Sequence, residues 1–268
     1  MKNKALTFLL TFVLIFTFVS VPTFAGVKPS KDNCIGHRGA MDLAPHSTMA
    51  CFQAAKDADY NKFECDVWYT NSKEFMICHD VNLKKQTGKN LDAWKLSTKN
   101  RKNYPIIHGV NLNKYPTQYY PTLDEALTFA KKNGMQICLH LKVHGKHTFS
   151  ASALKKMNKI IQNHKLKKKP VVFSSNKDVV RRMKNYPWKQ GYLNSSASWQ
   201  DYISFAKANK CNYIIFYYSS SQKPTKAKIN KAHKAGLKAI AYNINTASEA
   251  NDIWKVGGDY CITNKVLW

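Results

Sequence analysis

The chain has 268 residues, 44% of them hydrophobic, and carries 42 Lys and Arg against 16 Asp and Glu, a formal charge of +26. This length is too great for a small disulfide scaffold and suits one large α/β domain. The charge draws polyanions, but the lysines are spread along the whole chain without a recognised nucleic-acid-binding motif, which argues against a specific nucleic-acid reader.

Met1-Lys2-Asn3-Lys4 leads into an apolar run from Ala5 to Val21 that closes on Thr23-Phe24-Ala25. That is the order of a signal peptide over residues 1–25, with residues 26–268 expected as a single secreted, extracytoplasmic domain. A retained membrane anchor is the rival reading, since about 18 apolar residues approach the length of a bilayer span. Outside the cytoplasmic membrane the natural polyanions are anionic lipid headgroups or phosphate-rich wall polymers; plain solubility is the alternative use of the charge.

Short apolar runs rich in β-branched and aromatic residues then alternate with amphipathic stretches, the pattern of repeated βα units. The runs are Cys34–Gly39, Phe63–Trp68, Gln136–Lys142, Pro170–Ser175, Gln190–Asn194, Tyr213–Tyr218, Lys238–Asn243 and Asp259–Thr263. Eight such units close most simply into a (β/α)8 TIM barrel, with an open doubly wound sheet as the alternative. Thr122 with Glu125 and Thr246 with Glu249 have capping-box spacing, and Gly134 and Gly236 follow helical patterns as stops.

The second unit is irregular. Phe63–Thr70 is followed by Asn71-Ser72-Lys73 and a second apolar run, Phe75–Cys78, which predicts a hairpin ending at His79-Asp80. Residues 81–120 are polar, lysine-rich and weakly periodic, and read as a surface insertion near the barrel mouth. The seven cysteines are odd in number, sit mostly inside apolar runs and form no CxxC pair, so buried free thiols are expected and a structural zinc site is not.

Chemistry-bearing residues cluster at strand ends: Gly36-His37-Arg38-Gly39 on the first, Glu64-Cys65-Asp66 on the second, His79-Asp80 after the hairpin. Strand alternation points Glu64 and Asp66 the same way and Cys65 the other. Two inward carboxylates call for compensation, either by a hard divalent cation or by Arg38 and Lys142. Histidines titrate near neutrality, so His37 and His79 facing one phosphate could serve as base and acid.

Gly36-His-Arg-Gly-Ala40, Pro45-His-Ser-Thr48, Phe63-Glu-Cys-Asp-Val-Trp-Tyr-Thr70 and His79-Asp80 together resemble the ordered signature of glycerophosphodiester phosphodiesterases. Tyr120–Leu127, Leu139–Lys142, Gly236-Leu237, Asn243–Asn245 and Gly258–Thr263 resemble the family's later motifs, so the resemblance covers nearly all of residues 26–268. It implies a barrel in which His37 and His79 form the acid/base pair, Arg38 and Lys142 bind substrate phosphate, and Glu64 and Asp66 hold Mg2+ or Ca2+. The glycerol 2-hydroxyl would attack phosphorus, and water would open the resulting cyclic phosphate to glycerol 3-phosphate.

Several positions depart from the family pattern. His46 and Ser47 replace the Glu and Asn of a Pro-Glu-Asn-Thr motif, His140 stands at the third carboxylate ligand, Asn264 replaces Asp, and Tyr242 replaces a common Trp. With His140 as a metal ligand, Ca2+ and Mg2+ should bind less well, and Mn2+ or Zn2+ comes into range; a protonated His140 pairing with the carboxylates is the alternative. Three functional expectations follow: an active phosphodiesterase; a weakened or inactive barrel that binds phosphate-rich polymers or lipid headgroups; and a lipase of the phospholipase D toxin type, which the Pro45–Thr48 and Tyr120–Leu127 segments fit less well. Trp68, Tyr69 and Tyr242 are candidates to line the pocket.

Overall fold

The computed structural model describes residues 28–194, 198–219 and 223–268; the expected leader, residues 1–25, lies outside them. The elements run β1 (Cys34–Gly36), α1 (Met49–Asp57), β2 (Lys62–Tyr69), β3 (Phe75–Ile77), α2 (Lys84–Thr87), α3 (Leu123–Lys132), β4 (Gln136–Leu141), α4 (Ala151–His164) and β5 (Val171–Ser174). They continue with α5 (Lys177–Met183), β6 (Lys189–Leu193), α6 (Trp199–Ala208), β7 (Tyr213–Tyr217), α7 (Lys226–Lys234), β8 (Lys238–Tyr242), α8 (Ala247–Lys255) and β9 (Tyr260–Thr263). Because β1 pairs in parallel with both β2 and β9, the sheet closes: β1, β2 and β4 to β9 form a (β/α)8 barrel, not an open sheet. Strand β3 hangs antiparallel on β2 outside the barrel, the predicted hairpin.

Alternation sorts the side chains. Ile35, Cys138, Val171, Tyr213, Ile215, Ile240 and Ile262 pack together in one buried cluster with Phe173, while Phe63, Cys65, Val67, Leu139 and Leu141 belong to the larger core that includes the helices. Both predicted capping boxes form: the hydroxyls of Thr122 and Thr246 accept from the N–H groups of Glu125 and Glu249, whose carboxylates accept from the cap N–H. All seven cysteines are buried and free, as expected, and Cys34 and Cys261 lie face to face across β1 and β9 with their sulfurs 3.4 Å apart. No helix among the described residues is long and apolar enough to cross a membrane.

The first strand is shorter than its apolar run suggests. At Arg38 and Gly39 the backbone enters the left-handed region, with φ of +52° and +99°, and leaves the sheet. A Cβ on Gly36 would stand 2.2 Å from the Gly39 carbonyl oxygen, so this turn can close only over glycine. Gly36→Ala should therefore destabilise the fold by about 3 kcal/mol or more, read as a fall in Tm in thermal denaturation.

Residues 81–120 carry more internal order than their composition suggests. Besides α2 they form three short 3-10 turns, at Ala93–Lys95, Arg101–Asn103 and Leu112–Lys114. Leu83, Leu91, Leu96, Ile106 and Tyr120 build a separate apolar cluster with Trp68, Met76 and Cys78 of the hairpin. Trp68 is thus core to the insertion.

Candidate active site

A cavity of about 240 Å3 opens among the strands, lined by His37, Arg38, Glu64, Asp66, His79, His140, Lys142 and Tyr242 among others. All seven residues to which the sequence reading gave a site role meet here, each carried by local geometry. Glu64 and Asp66 project inward from β2 and are almost wholly buried. On β4 the register sets His140 opposite Asp66, and Lys142, two residues on, projects the same way. The left-handed turn after β1 brings the Arg38 N–H to Glu64 Oε2 at 3.1 Å and leaves His37 at the cavity wall. Tyr69, by contrast, stacks with Phe75 and Phe149 away from the cavity.

The charges form a compact arrangement around Asp66. His140 Nδ1 lies 3.0 Å and Lys142 Nζ 3.5 Å from Asp66 Oδ1, and Arg38 Nε lies 3.8 Å from Oδ2. Burial alone would raise the pKa of Asp66, but Lys142 and the His140 hydrogen bond outweigh it and hold the carboxyl ionised. Burial and repulsion from Asp66 push Glu64 the other way, well above the ordinary carboxylate range. Asp66 Oδ2 is buried and accepts no hydrogen bond, a cost that a bound cation would remove. Glu64, Asp66 and His140 offer ligand atoms within 4.8 Å of one another, so these residues fit a divalent ion. His140 is held flat against Phe173, ring centroids 4.7 Å apart at 9°.

The two cavity histidines have different supports. The Asn264 amide oxygen accepts from His37 Nδ1 at 2.5 Å, while the Asp80 carboxylate accepts from His79 Nδ1 at 2.7 Å. Burial, helped by the neighbouring Arg38 charge, lowers the His37 pKa to about 3, so its ring is neutral with Nε2 unprotonated. That Nε2 stands 3.9 Å from Glu64 Oε2. The hydrogen bond from His79 lowers the pKa of Asp80, so the carboxylate beside His79 is charged.

Behind His79 lies an arrangement that the sequence reading missed. The His46 ring meets the His79 ring edge-on, with centroids 6.5 Å apart. Gln86, from the insertion, donates to His46 Nε2 at 2.6 Å; the Tyr120 hydroxyl donates in turn to the Gln86 amide oxygen. His46 Nδ1 is left to donate to the Ser47 hydroxyl at 3.3 Å. Gln86 and Tyr120 are buried, so the residue replacing the family's Glu is fixed by a dedicated pair of partners.

Burial, with Arg38 nearby, lowers the His46 pKa from 6.5 to about 4. The unfolded chain therefore takes up this proton first as pH falls, and stability present at neutral pH is lost between about 6.5 and 4. The loss at pH 5 is of order 2 kcal/mol, or roughly 4–8 °C in Tm. Comparing Tm at pH 7.5 and 5, His46→Gln should show a smaller acid drop than the native chain by about that amount.

The sequence profile of the glycerophosphoryl diester phosphodiesterase family matches residues 37–267. The chain belongs to this family. An uncharacterized protein of Mycoplasma genitalium is 27% identical over 152 residues, 56% of this chain and 63% of that protein. Glycerophosphodiester phosphodiesterase 1 of Mus musculus is 25% identical over 210 residues, 76% of this chain and 62% of the mouse protein. The matches thus span a little over three fifths of the length of these relatives. Two solved structures share the barrel. A putative glycerophosphoryl diester phosphodiesterase from Silicibacter pomeroyi superposes with a TM-score of 0.76 at 16% identity, covering 90% of this chain and 93% of that one. An Oleispira antarctica phosphodiesterase in complex with its product sn-glycerol-3-phosphate gives 0.75 at 21% identity, covering 87% and 93%.

Proposed function

We propose that this chain is a secreted, metal-dependent phosphodiesterase that hydrolyses glycerophosphodiesters to glycerol 3-phosphate and an alcohol. The convergence of His37, His79, Arg38, Lys142, Glu64 and Asp66 on one cavity supports this reading. Family membership supports the substrate class, as does the product in the Oleispira relative. Secretion rests on the leader pattern of residues 1–25.

In this reaction neutral His37, with Nε2 free, takes the proton from the glycerol 2-hydroxyl as that oxygen attacks phosphorus. His79, oriented by Asp80, gives a proton to the departing alcohol oxygen. Water then opens the cyclic phosphate with the roles reversed. Arg38 and Lys142 hold the phosphoryl oxygens and meet the charge that grows on them. Glu64, Asp66 and His140 would hold one divalent cation, Ca2+ or Mg2+ in the family pattern and Mn2+ or Zn2+ as the imidazole suggests; its chemistry is Lewis-acid stabilisation of the same oxygens.

A second reading has a specific observation behind it. Arg38, Lys142 and His140 already surround Asp66, so the carboxylates are compensated without an ion. The barrel would then be a weakened or inactive one that binds phosphate groups of lipid headgroups or wall polymers. The two readings separate in one assay of glycerophosphocholine and glycerophosphoglycerol with the mature protein. Turnover lost in EDTA and restored by one added cation supports the enzyme and names its metal. A folded protein that releases no glycerol 3-phosphate with any of the four ions supports the binder.

A further inference from the structure

Among the described residues, five large hydrophobic side chains are exposed, and three of them, Val81, Ile107 and Val110, belong to the insertion. Ile107 and Val110, 48% and 44% exposed, are the two most apolar members of one loop, Ile107-His108-Gly109-Val110. Hydrogen bonds from the N–H groups of Ile107 and His108 to the Gln86 carbonyl fix this loop against α2, and the Ile107 side chain lies over Gly88. On its other side Gly109 abuts Pro45, next to His46, whose ring meets that of the cavity residue His79. Exposed Lys84, Lys85 and Lys89 come from α2 and the residues after it; neither Lys84 nor Lys85 is paired with a carboxylate among the described residues. The whole insertion carries eight Lys and Arg against one acidic residue, Asp92.

Two exposed branched aliphatic residues held against a lysine-bearing helix suit a surface whose outer layer is anionic and whose interior is apolar. We propose that this face docks on an anionic lipid bilayer, with Ile107 and Val110 entering the interface and Lys84, Lys85 and Lys89 meeting the phosphates. A wall polymer would satisfy the lysines but offers nothing to the aliphatic side chains, which is why the bilayer is preferred. Docking through this loop brings the His46 and His79 side of the site toward the membrane surface, where headgroup diesters and their deacylated products are most concentrated. The proposal deepens the functional reading above and shares its extracytoplasmic placement, but it does not depend on turnover.

The test is co-sedimentation of the mature protein with vesicles of phosphatidylglycerol and phosphatidylcholine, against phosphatidylcholine alone, at low and high salt. Binding is expected only to the anionic vesicles and should weaken with salt. An Ile107→Ser/Val110→Ser double variant should bind at least about tenfold more weakly while keeping its Tm and its turnover of water-soluble glycerophosphocholine. No binding of the native protein to anionic vesicles would overturn the proposal. So would a double variant that binds as well as the native chain while Lys84→Glu/Lys85→Glu does not, since the face would then read a polyanion such as a wall polymer. Vesicle binding without any turnover would sustain the docking and sink the catalytic reading instead.

Discussion

His37→Ala is expected to lower kcat for glycerophosphocholine by roughly 10²–10⁴-fold. Its ring stands at the cavity wall, held by Asn264, and is the neutral group whose free nitrogen can take the hydroxyl proton. The loss should fall on kcat more than on KM, because Arg38 and Lys142 still hold the phosphate. A folded His37→Ala protein with native kcat would remove His37 from proton transfer.

His140→Glu should have the largest effect on the metal. It restores a third carboxylate beside Glu64 and Asp66, so calorimetric titration should show Ca2+ or Mg2+ binding tightened by tenfold or more, about 1.4 kcal/mol, and Zn2+ losing ground. Without ion the same variant should melt lower than the native protein, because three buried carboxylates repel one another and the His140 contact with Asp66 is gone. Unchanged affinity for every ion would show that position 140 does not face it. His140 would then serve only to compensate Asp66, together with Arg38 and Lys142.

The parts of this site that were legible in the sequence share one property: they follow from local alternation. Glu64 and Asp66 face inward and Cys65 outward because side chains on a strand alternate, and eight apolar runs with helical spacers leave few ways to close a sheet. What stayed hidden depends on contacts between segments far apart. Gln86 and Tyr120 are 34 residues apart and meet at His46 only because the insertion folds back over the β1 turn. The insertion's apolar cluster draws on scattered residues from Trp68 to Tyr120 with no repeating interval, so composition showed its lysines and concealed its core. Trp68 and Tyr69, read as pocket candidates, are instead used in packing, whereas Phe173, not singled out, supports His140. Asn264 could be found only as a departure from a pattern; barrel closure, through β1 and β9, gives it His37 as a partner.

That last pairing joins residues separated by 227 positions, one near the start of the barrel and one near the end of the chain. The seam that closes the barrel, β1 against β9, is therefore also what orients this imidazole, so loosening that seam would cost His37 its support.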